Sequence, residues 1–144
     1  MTLGSELGGG INHVYGYDVK TADAGVQYLF EIKGNTFECG VVDEIHMDTV
    51  NSTGGVHRGI MWADMHYMNL TGNCKPMFGN FSLTHATISG APFVMDLDSD
   101  PAYPIGAIDM SNSTYTSIGN AKNTETNVGP VTWTNTTING AAAH

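Results

Sequence analysis

Ile45-His-Met-Asp-Thr-Val50 and Phe81-Ser-Leu-Thr-His-Ala86 share a six-residue pattern, here called the phrase. Its first and third residues are mostly apolar, its second and fourth mostly polar, and its fifth usually small and polar. The phrase occurs five times, with the other copies at Val14–Val19, Ile108–Ser113 and Val131–Thr136. Successive copies begin 31, 36, 27 and 23 residues apart. Repeats of this length are typical of solenoids, and the irregular spacing favours strands and loops, because loops absorb insertions.

Period-two alternation places the first and third residues of each phrase on one face of a strand. Each strand is too short to bury its apolar face alone, so successive coils are expected to stack. The predicted inward pairs are Val14/Gly16, Ile45/Met47, Phe81/Leu83, Ile108/Met110 and Val131/Trp133. Second strands are predicted between the phrases, at Tyr28–Lys33, Gly59–Asp64 and Phe93–Leu97. The sequence therefore predicts an all-β parallel β-helix of roughly five coils.

The fifth position of the phrase is predicted to lie at a turn. Asn and Asp tolerate unusual backbone angles, and equivalent residues of stacked coils can form a ladder. The residues at this position are Asp18, Thr49, His85, Asn112 and Asn135. We expect a structural role for them and derive no function from them.

Composition limits the classes of protein to which this chain can belong. At 144 residues, it is long enough for one domain, predicted to span residues 1–140. Residues 141–144 look like a linker and tag remnant and are left out of the prediction of the fold. The net charge of −9, with five Lys and Arg residues, disfavours nucleic acid as a partner. No apolar stretch has the length of a membrane span, and no signal peptide is evident.

Two cysteines and five glycosylation sequons leave alternatives open. Cys39 and Cys74 fit either one bridge between neighbouring loops or two unpaired thiols. Glycosylation is predicted at Asn51, Asn69 and Asn80. The sequons at Asn112 and Asn135 are interpreted as coincidental, because both residues occupy the stacked fifth position.

Several polar clusters contain residue types that could bind a metal ion or catalyse a reaction. Asp96-Leu-Asp-Ser-Asp100 lacks the glycine and glutamate of a calcium-binding EF-hand loop, so an acidic, solvated loop before Pro101 is expected. Asp64 and His66 share a strand face, with His57 nearby, but no third ligand lies at a recognisable spacing. No serine has a His/Asp context that would nominate it as a nucleophile. No metal or cofactor is therefore predicted.

The segment Gly4-Ser-Glu-Leu-Gly-Gly-Gly-Ile-Asn-His-Val14 resembles glycoside hydrolase family 28, the polygalacturonases. Phe30-Glu-Ile-Lys-Gly-Asn35 is similar to that family's Arg-Ile-Lys-Thr-Asn segment, and Tyr67 matches a tyrosine near the sugar. The resemblance implies a right-handed parallel β-helix that acts on pectin or another acidic polysaccharide of the cell wall, secreted or periplasmic. It corresponds to the C-terminal part of the family. The catalytic aspartates and histidine are expected in upstream coils, so this chain alone is predicted to be inactive.

The resemblance also implies which residues bind substrate. Lys33 occupies a position that faces the sugar carboxylate, but Glu31 stands where the family has arginine, so a surface ion pair is an equally good interpretation. Trp62 and Tyr67 flank the substrate-side strand. A non-catalytic carbohydrate-binding or structural module is the alternative function. Pairing with upstream coils, or self-association through the first coil, is expected because unpaired strand edges invite association.

Overall fold

The computed structural model describes residues 1–4, 8–22, 25–120 and 123–144. These residues form strands and a single 3₁₀ turn at Tyr67–Asn69, without any α-helix. Ser5 and Glu6 of the Gly-Ser-Glu motif lie outside the described residues. The strands are β1 Thr2–Leu3, β2 Ile11–Thr21, β3 Tyr28–Lys33, β4 Val41–Ser52, β5 Gly59–Asp64, β6 Met77–Phe78, β7 Phe81–Phe93, β8 Met95–Asp98, β9 Ile108–Ser111, β10 Thr114–Asn120, β11 Thr124–Thr126, β12 Val131–Thr132, β13 Thr137–Ile138 and β14 Ala141–Ala142.

The strands stack as a parallel β-solenoid of about four turns, which confirms the predicted fold class. The first residues of the phrases pair in register, in the order Val14, Ile45, Phe81, Ile108 and Val131. The inward residues of the three middle phrases are almost fully buried. Those of the first and last phrases, among them Trp133, are partly buried. The repeat in the sequence is therefore the continuous core of the solenoid.

The predicted turn at the fifth position is a corner of the coil, at which the residue has the left-handed backbone conformation. All five residues there have a positive φ, between 49° and 56°. Non-glycine residues adopt this conformation at a cost of roughly 1–2 kcal/mol, so the corner is imposed by the stacking of coils. Strand β7 pairs with β9 before this corner and with β10 after it. The predicted ladder is present between Asn135 and Asn112, where Nδ2 donates to Oδ1 over 3.2 Å.

The strands between phrases form their own parallel sheet, here called sheet A, in the order β1-β3-β5-β8-β11. The phrases build the other sheet, sheet B. Strands β3 and β5 have the predicted bounds, whereas β8 covers Met95–Asp98 because β7 continues to Phe93. The expectation of a solvated loop at Asp96–Asp100 is thus wrong over its first half. Leu97 is fully buried between two outward aspartates, which is the alternation of a strand.

The C-terminal residues belong to the fold, contrary to the prediction. Ala141–Ala142 forms an antiparallel pair with β13, so residues left out of the predicted fold belong to sheet B.

Of the two alternatives for the cysteines, the structure has the bridge. Cys39 and Cys74 form a disulfide, which joins the loop after β3 to the loop before β6. None of the described residues belongs to a helix with the length and hydropathy of a membrane span.

Candidate functional site

The four residues predicted to bind substrate meet on the outward face of sheet A. Glu31 and Trp62 are neighbours across β3 and β5. The Lys33 ammonium lies 2.9 Å from Glu31 Oε1 and 5.1 Å from the centre of the Tyr67 ring. The Tyr67 ring meets Trp62 edge-on, with 6.5 Å between ring centres. Together with Tyr28, which stacks on Trp62 at 5.6 Å, these residues are here called the aromatic corner.

The cation of the aromatic corner is neutralised in place. The side chains of Lys33 and Glu31 are only 19% and 16% exposed, so the pair is largely covered. Burial opposes ionisation of Glu31, but hydrogen bonds from Lys33 and Thr2 outweigh it and lower the pKa of the carboxyl. The hydrogen bond to Glu31 also raises the pKa of Lys33. Lys33 therefore stays charged without offering a free charge to a ligand, which supports the interpretation as an ion pair.

A glycine gives the aromatic corner its shape. Tyr28 packs against Phe93 as well as Trp62, and the Tyr28 and Phe93 ring centres are 6.4 Å apart. The Phe93 ring lies where a Cβ on Gly59 would stand, so only glycine admits the ring at that depth. The three aromatic rings thus form a continuous surface along β3, β5 and the end of β7.

Asn35 holds the loop that carries Tyr67, a role that sequence reasoning missed. Its side chain is 1% exposed, and its Oδ1 accepts hydrogen bonds from the backbone N–H groups of Phe37 and Glu38 at 2.9 and 2.7 Å. Its Nδ2 donates to the Tyr67 carbonyl over 3.4 Å, and Tyr67 N donates to the Gly34 carbonyl over 3.1 Å. The position directly after Lys33-Gly was the available signal, because Asn commonly bonds to the backbone two residues on.

Carboxylates continue the site beyond the aromatic corner. Asp96 neighbours Trp62 across β5 and β8, and Asp98 neighbours Asp64. These three aspartates and Trp62 line an open groove of about 610 Å³, here called the carboxylate groove. Burial, followed by the charges of Asp98 and Asp64, raises the pKa of the Asp96 carboxyl. The groove is therefore rich in carboxylates, and its Asp96 carboxyl ionises less readily than an ordinary aspartate.

His66 lies between two aspartates, Asp98 of the groove and Asp100 after β8. Its Nδ1 lies 3.3 Å from Asp98 Oδ2, and its Nε2 lies 3.9 Å from Asp100 Oδ2. Donor atoms of Asp64, His66 and Asp98 all fall within 4.8 Å of one another, a spacing at which three ligands can hold a metal ion. Asp98 thus lies where a third ligand would stand, although no such residue follows at a recognisable spacing in the sequence. The signal was the strand register, which sets Asp98 beside Asp64. His57 precedes β5, at the end opposite Asp64.

The three predicted glycosylation sites are all exposed. Asn51 lies on β4, and Asn69 lines the carboxylate groove from the 3₁₀ turn. The Asn80 amide donates to Asp43 and Glu44 at 3.3 and 3.2 Å. Glycosylation at these positions stays a prediction.

Comparison of the chain with protein-family models, with curated proteins and with solved structures found no match.

Proposed function

We propose that the outward face of sheet A binds a polysaccharide, and that the chain is a carbohydrate-binding module of the solenoid class. The observation that carries the proposal is the continuity of the aromatic corner with the carboxylate groove. Aromatic rings offer flat apolar surfaces on which a sugar ring can lie, while carboxylates accept hydrogen bonds from sugar hydroxyls. An open groove on a regular sheet suits an extended chain better than a small, enclosed ligand.

The charges of the site favour a neutral polysaccharide over the pectic acid that the family resemblance implies. A polyuronate needs cations, yet Lys33 is already paired with Glu31 at 2.9 Å. Beyond this pair the ligand would pass Asp64, Asp96 and Asp98, and like charges in contact repel. Neutral sugar hydroxyls meet no such penalty.

Titration calorimetry tests the proposal with neutral oligosaccharides of several sugars and, in parallel, with oligogalacturonide. We expect a neutral ligand to bind and Trp62→Ala to weaken it at least about tenfold, or about 1.4 kcal/mol. Tyr17→Ala is the matched control, because Tyr17 is an aromatic residue of sheet B that is 74% exposed. Absence of binding to every glycan, or equal losses in both variants, would contradict the proposal.

The proposed secreted or periplasmic location has one supporting observation. The Cys39–Cys74 disulfide suits an oxidising compartment, where such bonds persist. Recovery of the bridged form from intact cells, after trapping of free thiols, tests this location directly.

Hydrolysis of a glycosidic bond is the second candidate, favoured by the raised pKa of Asp96 beside other carboxylates. Asp96 and Asp98 are two residues apart on β8, so their Cα atoms are separated by about 6.6 Å. Inverting glycosidases use a pair of carboxyl groups that are roughly 6.5–9.5 Å apart. The resemblance assigns catalysis to upstream residues instead. Release of reducing ends by this chain, abolished in Asp96→Asn, would establish the second candidate; no release would leave binding as the function.

A further inference from the structure

A second polar cluster lies on sheet B, at the second position of three consecutive phrases. Tyr15, His46 and Ser82 occupy this position and are stacked neighbours across β2, β4 and β7. The sequence nominates no serine as a nucleophile, because none has a matching His/Asp context, and His46 and Ser82 are 36 residues apart. Alignment of the phrases was the missed signal, since it places the two residues side by side.

The cluster forms a continuous chain of hydrogen bonds. His46 Nδ1 lies 2.7 Å from Ser82 Oγ, and His46 Nε2 lies 3.0 Å from Glu44 Oε2. Glu44 is held in turn, because Asn80 Nδ2 donates to its Oε1 over 3.2 Å. The Tyr15 ring stacks on the imidazole at 4.9 Å and at an angle of 26°, so the imidazole is restrained from its face as well as from its edges.

We infer that Ser82 is an activated nucleophile for acyl transfer, with His46 as its general base and Glu44 as the group that orients the base. A nucleophile, a base and an orienting carboxylate within hydrogen-bond reach are the parts of a serine hydrolase site, recognised by geometry and not by sequence order. With its proton on Nε2, the imidazole donates to Glu44, and Nδ1 accepts the proton of the Ser82 hydroxyl. The two ring nitrogens thus exchange the roles they have in chymotrypsin-type triads.

The reaction balances without any further reactant besides water. Ser82 Oγ forms a bond to the carbonyl carbon of an ester, and its proton moves to His46 Nδ1. The bond from that carbon to the alkoxy oxygen then breaks, and the departing alcohol takes the proton from His46. Water, deprotonated by the same nitrogen, later attacks the acyl-serine, releases the carboxylic acid and returns the proton to Ser82. Glu44 stabilises the imidazolium formed in both halves.

The surroundings restrict the class of ester. Ser82 is half-buried on an open sheet face, so an acyl group that is small and exposed on its carrier can reach Oγ. Asp109 follows Ser82 in the next coil, and its carboxylate accepts a hydrogen bond from Ser111. Its negative charge disfavours anionic substrates, because like charges repel. The substrate class is therefore a small, neutral acyl ester.

An active-site-directed fluorophosphonate tests the inference on the full chain, with the labelled serine located by peptide mass spectrometry. Ser89, an exposed serine of the same strand, is the internal control. We expect labelling of Ser82 to exceed that of Ser89 at least tenfold, because His46 activates Ser82. His46→Ala should lower the rate at Ser82 at least tenfold and Glu44→Gln should lower it less, while Ser89→Ala should leave it unchanged. Circular dichroism establishes that each variant retains the strand signal.

Turnover of p-nitrophenyl acetate provides a second measurement that does not depend on the probe. We expect acetyl-Ser82 to be trapped at low pH in the native chain and to be absent from Ser82→Ala. Equal labelling of Ser82 and Ser89, or labelling of Ser82 that survives His46→Ala, would overturn the inference. Neither outcome depends on glycan binding by sheet A, so the two proposals fail separately.

Discussion

The outward faces of sheets A and B cover the same hydrophobic core but carry different chemistry. On sheet A, the aromatic corner and the carboxylate groove spread over neighbouring coils. On sheet B, one column brings together a histidine that is hydrogen-bonded to Ser82 and to Glu44, with the Tyr15 ring stacked on the imidazole. The inward columns repeat from coil to coil, whereas neither outward face does. A solenoid thus separates the residues that specify the fold from those that provide function.

Removal of a core side chain should break both faces together and has the largest expected effect. Leu83 is fully buried between Met47 and Met110 of the neighbouring coils. We expect Leu83→Ala to lower the free energy of unfolding by about 2–5 kcal/mol, because a cavity remains where the side chain was. Thr87→Ala, at an exposed position of the same strand, should cost less than about 0.5 kcal/mol. Urea denaturation measures both, and equal losses would contradict the shared core.

Loss of the disulfide should separate the faces. The bridge closes a loop of about 35 residues, and its removal in Cys39→Ser/Cys74→Ser is expected to cost about 2–4 kcal/mol. The affected loops also carry Tyr67 and the Asn35 hydrogen bonds, so glycan affinity should fall while labelling of Ser82 persists in the folded fraction. Unfolding curves and glycan titration with and without a dithiol reductant measure the effect. Loss of Ser82 labelling before glycan binding would reverse the predicted order.

A change at Gly59 should disturb the aromatic surface beside sheet A. A Cβ at this position overlaps the Phe93 ring, which must then shift relative to Tyr28. We expect Gly59→Ala to cost about 1–3 kcal/mol and to alter the aromatic near-ultraviolet circular dichroism. Gly8→Ala is the control, since a Cβ there meets no atom within 4 Å. An unchanged aromatic spectrum in Gly59→Ala would show that the ring does not depend on the glycine.

The two faces also differ in how much the sequence reveals. The phrase predicts the register to the residue, because a buried column accepts only apolar side chains and a corner favours residues that tolerate positive φ. The resemblance predicts four residues of the aromatic corner but not Tyr28, which joins it through its ring contact with Trp62. Contacts between coils, such as Asp64 with Asp98 and His46 with Ser82, are not evident from either segment alone. Such contacts depend on strand register, which must be fixed before outward residues can be paired.

The smallest expected effect concerns the charge of the carboxylate groove. Because burial and neighbouring acids raise the pKa of Asp96 above its ordinary value of 3.8, the folded state binds its proton more tightly than the unfolded state. Stability should therefore fall as the pH rises from the ordinary value through the raised one. Asp96→Asn should be slightly more stable than the native chain at neutral pH, with the advantage lost below about pH 4. A lower melting temperature for Asp96→Asn at neutral pH would contradict this sign.

The central claim, that the face of sheet A is the one that binds a glycan, is tested most directly by nuclear magnetic resonance. Backbone and indole shifts of the isotopically labelled chain would be followed as a neutral oligosaccharide is added. We predict that the perturbed residues cluster at Trp62, Tyr67 and Asp96, while Tyr15 and Tyr17 on sheet B remain unchanged. Shifts centred on Tyr15 and Tyr17, or none at saturating ligand, would contradict the claim.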